Sequence, residues 1–170
     1  DLVMNANGRD EISIETDAGL LRAWRAEGGE ISVDMGPVAT GWRDVPLAHE
    51  VDTLAVPLGI DGLGDAVCHS VGNPHAVVFV DDAEAVDLAR LGPLAEHAAL
   101  FPQRVNLSVV SRIGDAAFRM RVWERGVGIT MACGSGACAV GAAVVRRGLG
   151  PRANRIVMDG GTVGIDWNPD

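Results

Sequence analysis

Apolar and polar residues alternate over several short runs of the chain, and a period of two predicts β-strands. The first three runs, at 11–16, 20–26 and 30–35, are joined by Asp-Ala-Gly and Glu-Gly-Gly. Because such glycine-containing links favour tight turns, the sequence predicts a three-stranded meander. Similar runs predict further strands at 51–56, 76–81, 106–111, 117–123, 155–159 and 162–167, the last two joined in a hairpin at Gly160-Gly161.

The pattern predicts a first helix at 83–99. Its apolar residues form a stripe at helical spacing, and Asp82 stands where an N-cap is expected. Pro93 lies inside this stretch, so the alternative of two short helices stays open.

A second helix is predicted from Gly134 or Ser135 to Gly148, a residue that suits a left-handed C-terminal position. Residues 137–145 read ACAVGAAVV, without a polar face. Because a helix that is apolar all round is buried on every side, we expect an α+β fold in which a β-sheet is rolled around this central helix.

Composition narrows the functions that the chain can have. The 170 residues carry a net charge of −9, which argues against nucleic acid as a partner, and no apolar run approaches the length of a membrane span. The chain contains 14 arginines and no lysine, so it cannot form a Schiff base with pyridoxal phosphate or a carbonyl substrate. The three cysteines, Cys68, Cys133 and Cys138, match no zinc-binding spacing, and we expect free thiols in a reducing, cytoplasmic compartment and no metal site.

Cys133 is the strongest candidate for chemistry. It precedes Gly134-Ser135-Gly136 at the predicted start of the second helix, where unpaired backbone N–H groups and the helix dipole favour negative charge. We therefore expect a thiol that ionises more easily than usual, beside amides that bind a carboxylate. The alternative is a buried structural cysteine before a glycine turn. Cys68 and Cys138 are interpreted as core residues.

Polar residues in three other places are weaker candidates. Glu124 and Arg125 end a predicted strand, where they form either a solvated rim or a site for an ammonium and an anion. Asn73 and His75 belong to the loop Gly-Asn-Pro-His, which is either a plain turn or a shaped loop with an amide and an imidazole. Asn106 precedes a strand and carries little signal alone.

The segments GNPHAVVFVDD, RVN and ERGVGITMACGSGACA, in this order and spacing, closely resemble the diaminopimelate epimerase family. The resemblance extends from IETDAG near the start to DGGTVGIDW near the end. Proline racemases and phenazine-type isomerases share the architecture of this family. The resemblance implies two similar lobes, each a sheet rolled around a helix, of which this chain carries the second.

The resemblance also implies a reaction: epimerisation of L,L- to meso-diaminopimelate, without a cofactor, on the route to lysine and peptidoglycan. Each lobe supplies one cysteine, and the two exchange protons on opposite faces of the α-carbon. Cys133 corresponds to the second-lobe cysteine, with His75 and Glu124 adjusting thiol acidity. The residues implied to bind the substrate are Asn73, Asn106, Glu124, Arg125, Gly134 and Ser135.

The chain departs from this pattern because it lacks a second Cys-Gly-Asn-Gly type of loop. We expect that loop upstream of Asp1, so that residues 1–35 are the tail of the first lobe and residues 36–170 the second lobe. The family's last strand is likewise expected after Asp170. On its own the chain would then hold half an active site. The alternatives are an inactive carboxylate-binding module and a racemase for another amino acid; the oligomeric state, monomer or homodimer, stays open.

Overall fold

The computed structural model describes residues 4–5, 8–16 and 19–168. Asp17-Ala18, in the first predicted turn, lies outside the described residues. The chain divides into two compact units, Asp1–Pro37 and Val38–Asp170. This boundary lies two residues from the predicted one, and the assignment of the first unit to another lobe stays a prediction. Among the described residues, no helix is long and apolar enough to cross a membrane.

The first unit contains the predicted meander. Strands β1 (Glu11–Thr16), β2 (Gly19–Arg25) and β3 (Ile31–Asp34) pair antiparallel in the order β1-β2-β3. Gly28 and Gly29 both have positive φ between β2 and β3, a conformation that glycine adopts without a steric penalty.

The second unit is built on a seven-stranded mixed sheet. Its order is β10-β9-β7-β6-β5-β4, with β8 paired to β7. The pairs β5/β6 and β7/β9 are parallel and the others antiparallel. The strands are β4 (Ala66–Ser70), β5 (Pro74–Phe79), β6 (Asn106–Gly114), β7 (Ala117–Glu124), β8 (Gly128–Thr130), β9 (Ala153–Met158) and β10 (Gly161–Asp166).

Two helices lie in the crossovers of this sheet, α1 (Leu88–Glu96) between β5 and β6 and α2 (Gly134–Arg146) between β8 and β9. Val78 and Val109 belong to the core cluster that includes Leu88 of α1, whereas Val77 and Val110 belong to the cluster of α2. Helix α2 contacts β4, β5, β6, β7, β9 and β10. The predicted α+β fold, with a sheet rolled around a buried helix, is confirmed.

Two predicted elements are wrong in detail because aspartates form local turns. Residues 51–56 are not a strand: the Asp52 carboxylate accepts a hydrogen bond from Leu54 N at 2.9 Å, which favours a turn, and only an isolated bridge joins Val56 to Ala66. Helix α1 is one helix that begins at Leu88 and is capped by Asp87, not Asp82. Asp82 instead accepts a hydrogen bond from Glu84 N at 2.9 Å.

Candidate functional site

Cys133 is the N-cap residue of α2. Its backbone is extended (φ −144, ψ 106), and its Sγ accepts a hydrogen bond from Gly136 N at 3.4 Å. The hydroxyl of Ser135 lies 3.6 Å from the same sulfur. Cys133 is 7% exposed, so the sulfur sits at the edge of the core that surrounds the helix.

Gly134 and Gly136, which follow Cys133, have different surroundings. A Cβ on Gly136 would lie 2.7 Å from Met120 Cε and 3.1 Å from the Cys133 sulfur, so only glycine lets this amide reach Sγ. A Cβ on Gly134 would meet nothing within 4 Å, and Gly134 is exposed. Among the described residues, no protein acceptor takes the backbone hydrogens of Gly134 and Ser135. The start of α2 therefore keeps two donors beside open space.

The thiol does not have the lowered pKa that its helix position predicts. Burial raises the pKa of Cys133, and the negative charge of Glu124 raises it further. The hydrogen bonds from Ser135 and Gly136 lower it, but they do not outweigh burial. The prediction failed because it counted the helix terminus and left out desolvation. A pKa raised above the ordinary value of cysteine favours the protonated thiol at neutral pH.

Glu124 is held beside the thiol by the strand hairpin β7/β8. Glu124 pairs with Gly128 in the register, and Thr130 Oγ1 donates a hydrogen bond of 2.5 Å to Glu124 Oε1. Thr130 was not among the predicted site residues. The alternation of Val127, Ile129 and Met131, all exposed, was the signal from which β8 could have been predicted.

A series of hydrogen bonds joins the Gly-Asn-Pro-His loop to the start of α2. His75 Nε2 donates to Asn73 Oδ1 at 2.9 Å, and Asn73 Nδ2 donates to Ser135 Oγ at 3.4 Å. Ser135 in turn contacts the Cys133 sulfur. The structure thus brings Asn73, His75, Ser135 and Cys133 together, although 62 residues separate Asn73 from Ser135.

His75, which the sequence suggested for proton management, lies beside Asn73, and its effect on the acidity of the thiol stays a prediction. Its ring is fully buried, and burial, together with the charges of His69 and Arg125, lowers its pKa to about 3. The imidazole is therefore neutral at ordinary pH and donates through Nε2 to Asn73 rather than to the thiol. Its Nδ1 is buried without a partner among the described residues.

Asn106 connects the Gly-Asn-Pro-His loop to Arg125 by hydrogen bonds. Asn106 is 4% exposed, and its side chain bridges the two loops: Nδ2 donates to Pro74 O and Oδ1 accepts from Arg125 N, both at 2.9 Å. Arg125 is exposed and donates to Gln103 O at 3.0 Å. The structure shows Asn106 bracing the site; a contact between Asn106 and a substrate stays a prediction.

The other two cysteines differ from each other. Cys68 is fully buried in β4, and burial raises its pKa to about 12. Cys138 was predicted to be a core residue but is only half-buried, since it lies on α2 one turn after the exposed helix start. Neither carries a loop like the one that follows Cys133.

The fold of this chain has relatives among solved structures. A hydroxyproline epimerase from Agrobacterium vitis aligns with a TM-score of 0.59 at 19% identity, covering 93% of this chain and 52% of that one. A phenazine biosynthesis protein of the PhzF family from Bacillus anthracis aligns with a TM-score of 0.56 at 14% identity, covering 95% and 62%. The fold is thus that of a class of α+β proteins that includes epimerases and PhzF proteins.

Sequence similarity defines the family within this class. Residues 67–170 match the family model described as diaminopimelate epimerase. The chain is 54% identical over 99% of its length to the diaminopimelate epimerase of Rhodospirillum centenum and 46% identical over 93% to that of Erythrobacter litoralis. In both cases it spans 58% of the relative's own length. The chain belongs to the diaminopimelate epimerase family.

Proposed function

We propose that the protein epimerises L,L-diaminopimelate to meso-diaminopimelate without a cofactor and that Cys133 is one of two acid/base thiols. The observation that carries this proposal is the start of α2, where the thiol, two unpaired backbone donors and open space meet. Family membership supplies the substrate, since the relatives are named for it. The three free cysteines are consistent with the cytoplasm, where we place the protein.

The α-carboxylate of the substrate would occupy the helix start. The N–H groups of Gly134 and Ser135 would donate to it, and the helix dipole adds partial positive charge there. When the α-proton leaves, negative charge develops on this carboxylate, so donors that are already oriented stabilise the transition state more than the ground state. Arg125 would add a guanidinium at the exposed edge of the site, and Asn73 and Asn106 would hold the loops in place.

Cys133 would act as the acid in one direction of the reaction. Its raised pKa keeps the sulfur protonated at rest, as a proton donor requires. A base on the far face takes the α-proton as the C–H bond breaks, and the S–H bond of Cys133 breaks as a new C–H bond forms on the near face. In the reverse direction the Cys133 thiolate is the base. An ammonium group bound by Glu124 would offset the negative charge that now disfavours this thiolate.

The far-face base would be a second cysteine. Cys68 is fully buried, and Cys138 lies on the same helix as Cys133, so neither faces Cys133 across a substrate. We propose that this thiol lies outside residues 1–170, in the part of the relatives' length that the chain does not span.

The test is exchange of the substrate α-proton in deuterated water, followed by proton NMR on the full-length protein with L,L-diaminopimelate. Cys133→Ala should abolish turnover, a loss of at least about 100-fold, because a positioned acid contributes that much or more. Cys138→Ala, which removes a half-buried thiol of the same helix, should retain activity. Binding without exchange by the wild-type protein would favour the carboxylate-binding module, and undiminished exchange by Cys133→Ala would refute the assigned role.

A further inference from the structure

Glu96, the last residue of α1, is a buried carboxylate that the proposed reaction does not use. It is only 3% exposed. A carboxylate in such a position is costly unless hydrogen bonds and a counter-charge compensate for the lost water.

The partners of Glu96 flank the two charged residues of the site. Trp123 Nε1 donates to Glu96 Oε2 at 2.7 Å, and Gly126 N donates to Glu96 Oε1 at 2.8 Å. Trp123 directly precedes Glu124, and Gly126 directly follows Arg125. One carboxylate thus holds both ends of the four-residue segment 123–126, which we call the charged turn.

A third partner comes from the loop before β6. Arg104 NH1 lies 3.5 Å from Glu96 Oε1, and Arg104 has a positive φ of 62, unusual for a residue that is not glycine. Burial by itself would raise the pKa of Glu96, but the hydrogen bonds from Trp123 and Gly126 and the charges of His97 and Arg104 lower it. The group is therefore an ionised acceptor at neutral pH.

Helix α1 fits the charged turn in a second way. A Cβ on Gly92 would lie 2.4 Å from the Trp123 ring, so the glycine lets the indole pack against the helix. Gly92 and Glu96 are four residues apart, on one face of α1. Asn106 holds the middle of the turn through Arg125 N. The turn is fixed along its length, while the Glu124 carboxylate accepts a hydrogen bond from Thr130 and raises the pKa of the Cys133 thiol by its charge.

We propose that Glu96 is a positioning residue that holds the charged turn so that Glu124 lies beside the Cys133 thiol. Glu96 would touch neither the substrate nor the sulfur and would act through Trp123 and Gly126. Its effect on turnover rests on the proposed function, whereas its effect on the thiol does not, because the charge of Glu124 raises the pKa of Cys133 without substrate.

The decisive variant is Glu96→Gln in the full-length protein. Glutamine has the same shape but only one acceptor oxygen, so either Trp123 or Gly126 would face an NH2 group instead of an acceptor. The turn should loosen and Glu124 should move away from the sulfur. We expect kcat/KM for α-proton exchange to fall by roughly 10- to 100-fold, the scale of a small misplacement of a catalytic group.

A readout without turnover separates positioning from the proposed function. The rate of Cys133 alkylation by iodoacetamide, measured against pH by mass spectrometry of its peptide, reports the thiol pKa. Glu124→Gln should move this pH profile to lower pH, because the charge of Glu124 raises the pKa of Cys133. Glu96→Gln should move it in the same direction, and the double variant should move no further than Glu124→Gln alone, because both act through one carboxylate.

Glu84→Gln is the matched control, since Glu84 also braces β7 through Arg119 and Arg121 but near the other end of the strand. It should leave the alkylation profile unchanged. If Glu96→Gln does not fold, Trp123→Phe removes the Nε1 donor together with part of the ring and leaves the Glu96 carboxylate in place. A folded Glu96→Gln or Trp123→Phe protein with a wild-type profile would overturn the proposal. If these variants shift the alkylation profile but the wild-type protein does not exchange the α-proton, the positioning role is upheld and the proposed function is rejected.

Discussion

The two ends of helix α2 each lie against polar side chains that include a buried histidine, and they differ in what is left unpaired. At the end of the helix, Arg146 donates to Cys68 O at 2.9 Å and to Thr53 Oγ1 at 2.8 Å, and its NH1 lies 3.3 Å from His69 Nδ1. His69 Nε2 then donates to Ala139 O at 2.7 Å. Every polar atom of the His69 ring is paired, so this cluster fastens the helix to the sheet.

At the start of the helix, some polar groups have no hydrogen-bond partner among the described residues. His75, Asn73 and Ser135 connect to Cys133, yet the N–H groups of Gly134 and Ser135 have no acceptor among the described residues, and His75 Nδ1 has no donor. The N–H groups of Gly134 and Ser135 are therefore free to bind an added acceptor, as the proposed carboxylate site requires. We call the end of α2 at Arg146 the closed end and the end at Cys133 the open end.

The largest expected effect comes from breaking the closed end. Arg146→Met keeps the apolar stem but leaves Cys68 O, Thr53 Oγ1 and His69 Nδ1 without their donor. Since an unsatisfied buried group costs about 1–3 kcal/mol and Arg146 is half-buried, the free energy of unfolding should fall by about 3 kcal/mol, measured by urea denaturation. Activity per folded molecule should survive, the reverse of the pattern expected for Cys133→Ala. If Cys133→Ala lowered the free energy of unfolding as much as Arg146→Met does, the result would contradict the view that only the end at Arg146 serves mainly to stabilise the fold.

Acid should weaken both ends through their histidines. Burial lowers the pKa of His69 to about 4 and that of His75 to about 3, both below the ordinary value of 6.5. Between pH 6.5 and 4 the unfolded chain therefore binds protons that the folded chain does not, so stability is complete above pH 6.5 and is lost as the pH falls. Each histidine should remove about 2 kcal/mol by pH 5.

The measurement is urea denaturation at pH 7 and pH 5. His69→Gln should reduce the loss of stability between the two values, while His49→Gln, a substitution of an exposed histidine, serves as the control. Equal pH dependence in the wild type and His69→Gln would contradict a neutral, buried His69.

The sequence predicts the open end better than the closed one, for physical reasons. Cys133, Gly134 and Ser135 are consecutive, and helix capping is a local property, so their placement at the helix start follows from the residues themselves. The role of His69 depends on Arg146, 77 residues away, and no local pattern indicates it. In the structure His69 lies in β4 and His75 in β5, and the pairing of these two strands places the histidines opposite each other.

The same difference between local and long-range interactions explains why the prediction of a lowered pKa for Cys133 was wrong. The helix start is local and was predicted, but the raised pKa results from burial and from the charge of Glu124, a residue of β7 that pairs with β8. Likewise, Glu96 stands in a helix like any surface glutamate until Trp123 and Gly126 are brought to it. Contacts between distant segments decide the electrostatics of a site, and the periodicity of hydrophobic residues along the sequence does not indicate these contacts.

The smallest expected effect comes from two glycines at opposite ends of α2. Nothing lies within 4 Å of a Cβ built on either Gly134 or Gly148, but only Gly148 has a positive φ, 66. Gly148→Ala should therefore cost about 1 kcal/mol of unfolding free energy and leave α-proton exchange unchanged. Gly134→Ala should leave stability equal or slightly higher, because alanine suits a helix better. In Gly134→Ala the new methyl group would crowd the carboxylate bound by the neighbouring amides, and KM should rise at least about tenfold, the value of one hydrogen bond to a charged group. A Gly134→Ala protein with unchanged KM would mean that the open space at the helix start is not where the substrate binds.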